Sequence, residues 1–383
     1  MTIKCEELYK VFKEQNLDYF TGVPDSTFKD WMKFLADNHE NGLTNRIAVN
    51  ECEAVSLAAG YHLATGNIGV IYMQNSGLGK TVNPLTSLTA KEVYSIPTVL
   101  MIGWRGNPKN EKKDEPQHKM MGKIMLPLLD VLEIPYKVLE EKDDINIVRE
   151  KIFWAKQTAK QTNYATAIIM TNGLFEEYDA LKKIKTNYEM FREDAIKFII
   201  NNLGGDEIII STTGKTSREL FEYRESLKQG HEKDFLTVGS MGCSSSIALE
   251  IALQKPNKKV FIFDGDGATL MQLGALATVG HNNPKNLTHI IFDNNAYDST
   301  GGQPTSSDSV DFKKIASACG YMNAKQIESK KDLVDFFKEI KNLKQEGPKI
   351  LVIKVNKGAR KDLGRPTITP IENKQALMDF LGK

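Results

Sequence analysis

Cysteine is scarce in this chain of 383 residues, and the four cysteines are scattered along it. Cys5, Cys52, Cys243 and Cys319 form no CxxC pair, so the sequence indicates neither a zinc ribbon nor a disulfide framework. No apolar run approaches the roughly 20 residues that span a bilayer. The start, MTIKCEELYKVF, is typical of a charged amphipathic helix rather than a signal peptide. We therefore expect a cytoplasmic protein in a reducing compartment, with no membrane partner.

Net charge is nearly absent as well, at +1, so no global field favours binding to nucleic acid. Any anionic ligand must instead be bound by a local cluster of cationic side chains. Hydrophobic residues make up 41% of the chain and charged residues 26%, which is typical of globular proteins. The length corresponds to two domains of ordinary size.

Apolar runs rich in β-branched residues alternate with helical patterns in both halves of the sequence. This alternation predicts an α/β protein with parallel sheets that helices cover on both faces. The pattern stops in the polar segment 172–190 and then restarts. We therefore predict a domain at 1–171, a linker at 172–190 and a domain at 191–383, each domain a doubly wound sheet. A single helix is predicted over 268–282.

Two polar turns follow neighbouring buried strands in the second half. Gly265, Asp266 and Gly267 lie between a strand and a helix, and Asn294 ends the next strand. One strand–helix–strand unit separates the turns, so both are expected at the carboxyl edge of adjacent parallel strands, where open α/β sheets bind ligands.

These turns have the chemistry of a metal and anion site. Glycines allow an anion to approach the backbone, and the helix that follows offers free N–H groups. The Asp266 carboxylate, the Asn294 amide oxygen and the Ala296 carbonyl are hard oxygen ligands. Mg²⁺ prefers such ligands and usually shares them with phosphate groups. The turns therefore predict a magnesium site that also holds a diphosphate.

The GDG turn followed by NN resembles the diphosphate-binding signature of thiamine-diphosphate enzymes. VGSMGCSSSIALEIAL resembles the segment that holds the cofactor's aminopyrimidine, and STTGKTSREL resembles a loop that contacts the diphosphate. The resemblance implies thiamine diphosphate and Mg²⁺ as cofactors. It implies a pyrimidine-binding domain followed by a diphosphate-binding domain, with no middle domain. Besides the metal ligands, it implicates these cofactor-binding residues: Gly214, Thr216, Ser217, Gly239, Met241, Gly267 and Ala268.

In that family a glutamate in the other domain activates the cofactor. The segment AVNECEAVSLAAGYHLATG matches its surroundings, which implies this role for Glu51. Burial of a glutamic acid favours its protonated form, and a shared proton activates the pyrimidine. In the family this glutamate and the metal site meet across a subunit interface, so the resemblance implies a homodimer at minimum.

A cationic segment, MIGWRGNPKNEKKDEPQHKMMG, is expected as a loop after a buried strand. The cationic side chains of this segment are suited to binding a multiply charged anion. We interpret Lys109 and Lys112 as solvated side chains. The candidates for substrate binding in this predicted loop are Arg105, Lys113 and His118.

With TGVPDS and QNSGLGKTVNPLTSL, this segment resembles the family branch that decarboxylates phosphonopyruvate or sulfopyruvate. The branch implies a small 2-keto acid with an anionic group on carbon 3 as the substrate. Phosphonopyruvate, which would yield phosphonoacetaldehyde and CO₂ for phosphonate biosynthesis, is the first expectation. The resemblance implies that Asp25 assists proton transfer, that Gln74 and Asn75 line the pocket, and that His118 is catalytic. Lys119 follows His118, so the paired histidines of pyruvate decarboxylases are absent.

Other functions were weighed against this one. GLGKT and TTGKTS resemble phosphate-binding loops, but the required first glycine is replaced by Gln74 and Ile209. No GxGxxG follows the first strand, which argues against a dinucleotide-binding dehydrogenase. Both cofactor half-sites in one chain argue against a non-catalytic subunit. Sulfopyruvate decarboxylation and an acetolactate-type carboligase reaction stay open as alternatives.

Overall fold

The computed structural model describes residues 2–39, 42–109, 114–180, 186–342 and 346–382. The chain divides into two compact units, one formed by 1–183 with 300–303 and the other by 184–299 with 304–383. The predicted linker, 172–190, contains this division, and its residues 181–185 lie outside the described residues. Among the described residues, no helix is long and apolar enough to cross a membrane.

The first unit is built on a six-stranded parallel sheet in the order β2-β1-β3-β4-β6-β5. Its strands are β1 (Tyr19–Gly22), β2 (Thr44–Ile47), β3 (Gly69–Gln74), β4 (Thr98–Gly103), β5 (Tyr136–Leu139) and β6 (Ala165–Met170). Its helices are α1 (Cys5–Glu14), α2 (Lys29–Asn38), α3 (Glu51–Thr65), α4 (Leu78–Ser87), α5 (Pro116–Val131) and α6 (Ile145–Thr162).

The second unit repeats this architecture with another parallel six-stranded sheet. The strands that follow β6 in the chain are β7 (Ile208–Ser211), β8 (Asp234–Leu236), β9 (Val260–Gly265), β10 (Leu287–Asp293), β11 (Ala296–Tyr297), β12 (Gln303–Pro304), β13 (Asn323–Ile327) and β14 (Lys349–Lys354). The order in the sheet is β13-β14-β10-β9-β7-β8, while β11 and β12 pair separately. The helices are α7 (Arg192–Asn202), α8 (Lys215–Ser226), α9 (Ser244–Gln254), α10 (Asp266–Met271), α11 (Gly274–Asn282), α12 (Phe312–Ala318), α13 (Lys330–Asn342) and α14 (Pro370–Phe380).

The central strands are buried on both faces, which explains their continuous apolar runs. In β3, Val70 and Tyr72 belong to one hydrophobic cluster, with Trp31 of α2. Ile71 and Met73 belong to a second cluster. Successive side chains of a strand point to opposite faces, so these two clusters lie on the two sides of the sheet. The predicted pair of parallel α/β sheets is confirmed.

In each sheet the chain reverses direction after its second strand, so that the first strand lies between the second and the third. In the first sheet β1 is followed by β2 on one side and by β3 on the other, and in the second sheet β7 has the same relation to β8 and β9. Loops after the strands at such a reversal separate and leave a crevice at the carboxyl edge. The fold therefore places both candidate half-sites at the expected strand ends.

The prediction of one helix over 268–282 is wrong. Helix α10 ends at Met271, and α11 begins at Gly274. Gln272, at φ −133° and ψ 47°, has left the helical region of the Ramachandran plot. The apolar periodicity continues through this break, so the sequence pattern could not reveal it.

Candidate cofactor and substrate sites

The two polar turns of the second unit lie side by side. Asp266 is the first residue of α10, directly after β9, and Asn294 directly follows β10. The two strands are paired in parallel, with Gly265 opposite Phe292. The predicted placement of both turns at one edge of the sheet is confirmed by this register.

Asp266 is a buried carboxylate in an acidic environment. Its side chain is 3% exposed and accepts a hydrogen bond from the Thr305 hydroxyl. Burial, and then the neighbouring Asp293 carboxylate, raise the pKa of Asp266 to about 7. Asp293 itself pairs with Lys354 at 2.6 Å. A divalent cation bound by Asp266 would relieve this unfavourable burial, so the carboxylate fits the predicted Mg²⁺.

The other two predicted metal ligands are held in a tight turn. The Asn294 amide oxygen accepts from the Ala296 N–H at 3.0 Å, and the Asn294 amide nitrogen donates to Asp298 at 2.8 Å. The Ala296 carbonyl accepts from the Asp298 N–H at 3.1 Å. Each oxygen has a second lone pair. The donor set is compatible with a metal, while the ligand roles of Asn294 and Ala296 stay predictions.

The glycines around this edge leave room that side chains would fill. A β-carbon on Gly265 would meet nothing within 4 Å, whereas one on Gly267 would approach the Tyr297 ring to 2.7 Å. Gly214, before α8, has φ +97°, a conformation that L-residues rarely adopt. The space above Gly265 fits the expected approach of a diphosphate to the backbone.

The loop after β7 contacts the segment expected to hold the pyrimidine. The Gly239 N–H donates to the Thr213 hydroxyl at 3.1 Å, and Gly239 has φ +70°. The Ser217 hydroxyl is used inside the protein, because it donates to the Thr212 carbonyl at 2.7 Å. Cofactor binding by the residues of these two segments remains a prediction: Gly214, Thr216, Ser217, Gly239 and Met241. Ala268, in α10, is buried, and its contact with the cofactor is likewise a prediction.

Lys215 was not singled out from the sequence, although it lies in the GKTS segment. Burial lowers the pKa of this lysine, which is the first residue of α8. Its ammonium group donates to the backbone carbonyl of Asp298 at 3.3 Å, and the side chain of the same residue accepts from Asn294. A half-buried cation next to the predicted metal turn adds to the positive potential available for a diphosphate.

In the first unit, Glu51 begins α3, and Asn50 caps this helix by accepting from the Glu53 N–H at 3.0 Å. Glu51 is buried, with 7% of the residue exposed, and its Oε2 has no hydrogen bond among the described residues. The Nζ atom of Lys80 lies 3.7 Å from this oxygen. A buried carboxyl oxygen without a donor is the expected state of a group that binds a cofactor when it is present.

Asp25 and Gln74 come together at the ends of β1 and β3. Gln74 Nε2 donates to Asp25 Oδ1 at 2.7 Å, and Asp25 Oδ2 has no hydrogen bond of normal geometry in the described residues. Asp25 is fully buried, and this burial raises the pKa of its carboxyl, with the Gln74 hydrogen bond in partial opposition. A carboxyl group that is easily protonated suits proton transfer.

Asn75 connects this pair to the loop after β4. Its amide nitrogen donates to the Arg105 carbonyl at 2.8 Å, and its amide oxygen accepts from the Arg105 N–H at 3.3 Å. Asn75 is fully buried. It thus positions the Arg105 backbone, and contact with a substrate stays a prediction.

The Arg105 guanidinium is held by a residue that the sequence did not reveal. Asp114 accepts from it twice, at 2.8 and 2.6 Å, and Ser26 accepts at 2.9 Å. The Asp114 hydrogen bonds raise the pKa of Arg105, and Arg105 lowers the pKa of Asp114. Since a guanidinium has five N–H donors, two remain for a ligand. Asp114 stands near the end of the basic run, and this position was the sequence signal that could have revealed its pairing with Arg105.

His118 was expected in a loop and lies instead in the first turn of α5, because Pro116 starts that helix. Burial, followed by the charge of Arg105, lowers the pKa of His118 to about 4, so its ring is neutral at pH 7. Its Nδ1 has no partner among the described residues. Lys112 and Lys113 lie outside the described residues, and Lys109 is exposed.

Comparison with known proteins identifies the family to which each half of the chain is similar. The family "Thiamine pyrophosphate enzyme, N-terminal TPP binding domain" matches residues 5–125, and "Thiamine pyrophosphate enzyme, C-terminal TPP binding domain" matches residues 212–353. The family's cofactor is thiamine diphosphate, and Mg²⁺ is its usual metal.

Relatives of similar length indicate to which branch of the family the chain belongs. A phosphonopyruvate decarboxylase of Streptomyces viridochromogenes is 35% identical, with 84% of this chain and 81% of the relative aligned. A phosphonopyruvate decarboxylase of Streptomyces hygroscopicus is 33% identical, over 94% and 89%. A sulfopyruvate decarboxylase of Methanosarcina acetivorans is 27% identical, over 89% and 88%. The chain thus belongs to the thiamine pyrophosphate enzymes, in the branch of decarboxylases that includes these relatives.

Proposed function

We propose that this chain decarboxylates 3-phosphonopyruvate to phosphonoacetaldehyde and CO₂, with thiamine diphosphate and Mg²⁺ as cofactors. The observation that carries the substrate assignment is Arg105, a half-buried guanidinium held by Asp114 at 2.6 Å beside Ser26. The two relatives named as phosphonopyruvate decarboxylases support it over most of their length.

Bound thiamine diphosphate supplies the electron sink that decarboxylation of a 2-keto acid requires. In the proposal, Glu51 shares a proton with the pyrimidine ring. Asp266, Asn294 and the Ala296 carbonyl would hold Mg²⁺ near the diphosphate.

On the substrate side, Arg105 binds the phosphonate oxygens, with Lys113 as a further candidate outside the described residues. Asp25, whose carboxyl is fully buried against Gln74, donates or accepts the proton exchanged near the reacting carbon. His118 has a neutral ring at pH 7, so it can accept a proton or donate a hydrogen bond but adds no permanent charge.

Sulfopyruvate is the second candidate substrate, because a relative of matching length is named as a sulfopyruvate decarboxylase. A sulfonate is a monoanion at pH 7, whereas a phosphonate is largely a dianion. Asp114 offsets much of the positive charge of Arg105. In the proposal, the positive charge that Arg105 and Lys113 supply together determines whether the site prefers the dianion or the monoanion.

The test is decarboxylation by the purified chain of phosphonopyruvate, sulfopyruvate and pyruvate side by side. We expect the highest kcat/KM for phosphonopyruvate. A higher value for sulfopyruvate would transfer the assignment to the second candidate, and turnover of pyruvate alone would refute both. The homodimer implied by the resemblance belongs to the same proposal, and sedimentation of the active preparation would test it.

A further inference from the structure

A cavity of about 340 Å³ opens at the opposite edge of the second sheet. Residues that precede or begin the strands line it, namely Glu207 before β7, Lys259 before β9 and Lys349 at the start of β14. At about 3.3 Å per residue, the six residues of β9 place this cavity roughly 20 Å from Asp266. It is therefore separate from the predicted cofactor site, and its volume lies in the range of small-molecule pockets.

The polar lining of this cavity is dominated by positive charge. Lys259, Lys285 and Lys349 all line it, and among the described lining residues Glu207 alone is acidic. The carboxylate of Glu207 is already used, since it accepts from the Gly204 N–H at 3.0 Å and the Gly205 N–H at 2.8 Å. Three lysines thus share the cavity with one carboxylate, which leaves an excess of positive charge in its lining.

Lys349 is the unusual member of this group, because it is only 7% exposed. Its ammonium group makes two long hydrogen bonds to backbone carbonyls, at 3.3 Å to Gly347 and 3.5 Å to Lys285. Burial, and then the charge of Lys259, lower the pKa of Lys349. A buried ammonium with weak neutral partners and a like charge nearby is costly, and an anion in the cavity would offset that cost.

The remaining lining is mixed: it includes the polar side chains of Asn202, Asn286 and Thr288 and a group of apolar side chains. Leu203 follows α7, Phe261 lies in β9, and Phe337 and Ile340 lie in α13. We propose that this cavity binds a small organic anion, whose carboxylate or phosphoryl oxygens contact Lys349, Lys259 and Lys285 while a short apolar body packs against Phe261, Phe337 and Ile340.

The test uses the full chain saturated with thiamine diphosphate and Mg²⁺, so that the predicted diphosphate site is filled. Hexanoate serves as the probe, and hexanamide, which has the same body without the charge, serves as its control at constant ionic strength. We expect saturable binding of hexanoate in calorimetric titration and no comparable binding of hexanamide. Lys349→Met should weaken hexanoate binding at least about tenfold, because the buried charged donor is lost.

Lys349→Met removes a buried charge, so it should fold, and the exposed Lys259→Gln provides a second variant with a smaller expected loss of affinity. Lys314→Gln, an exposed lysine of α12, is the matched control and should bind hexanoate like the unmodified chain. Binding of hexanoate at the predicted substrate site would survive Lys349→Met. Unchanged affinity in both cavity variants, or equal binding of hexanamide, overturns the proposal.

Discussion

Gly77 lies directly against the carboxyl group of Glu51. A β-carbon on Gly77 would come within 2.6 Å of the Glu51 carboxyl carbon, so only glycine lets the carboxylate occupy its present position. The two residues are distant in sequence, because Glu51 begins α3 and Gly77 comes after β3. The lack of a β-carbon at Gly77 therefore allows the proposed activating acid its position.

Gly77→Ala should displace Glu51 and lower kcat about tenfold or more, since overpacking a tight site forces side chains out of place. Steady-state decarboxylation and thermal unfolding would be measured together. Gly79→Ala is the matched control, because a β-carbon there meets nothing within 4 Å. Equal activity in the two variants would contradict the positioning role of Gly77.

Glu51→Gln should bind thiamine diphosphate but slow exchange of its C2 proton by about a hundredfold or more, as expected for loss of an acid–base group. NMR of the bound cofactor in D₂O measures the exchange. Glu53→Gln, on the same helix turn, is the control, since Glu53 accepts from the Val49 N–H at 2.7 Å and only supports the helix start. Unaltered exchange in Glu51→Gln would remove the proposed role.

Asp266→Ala should abolish the Mg²⁺-dependent retention of thiamine diphosphate, with an affinity loss of at least about a hundredfold, because the one carboxylate of the predicted ligand set is lost. Equilibrium dialysis with and without Mg²⁺ measures the effect. Asp308→Asn, an exposed residue of the same unit, is the control. Normal retention by Asp266→Ala would mean that the metal binds elsewhere.

Arg105→Ala should raise the KM for phosphonopyruvate about tenfold or more and leave cofactor binding nearly unchanged. Asp114→Asn should cause a smaller rise, because it loosens the guanidinium without removing it. Lys109→Ala, an exposed change in the same segment, should behave like the unmodified chain. A KM that stays constant in Arg105→Ala would exclude Arg105 from the substrate site.

His118 should make stability depend on pH. Its pKa falls from 6.5 to about 4 on folding, so the folded chain binds fewer protons between these values. The stability from the neutral ring is present above about pH 6.5 and is lost as the pH falls toward 4, by up to about 2 kcal/mol between pH 7 and 5. Urea unfolding should show that His118→Gln loses this part of the pH dependence. The exposed His281→Gln should keep it, and equal slopes would contradict the shifted pKa.

The strongly apolar strands and the two polar turns were predictable because their patterns are local. The short edge strands β5, β8 and β13 were not predicted, since they are less continuously apolar than the central strands. The ion pair between Arg105 and Asp114 depends on the path of a loop, and no periodicity encodes that path. The closeness of Lys80 to Glu51 depends in the same way on the packing of α4 against α3.

The sequence also could not reveal which glycines are required by close packing. Gly103 leaves the space that the Asp25 carboxylate occupies, as Gly77 does for Glu51. Both contacts form between elements that are far apart in the chain. The sequence shows that these positions are glycines, but only the tertiary structure shows which side chain lies against each of them.

Counted from the first strand of each unit, the two sheets have the same order, 2-1-3-4-6-5. Duplication of one ancestral gene would leave such a shared order. The halves would then have begun as equivalent copies and diverged at their strand ends, one acquiring an acid at Glu51 and the other the oxygen ligands around Asp266. On this view specialisation required changes in a few loops, while the framework that presents them was inherited unchanged.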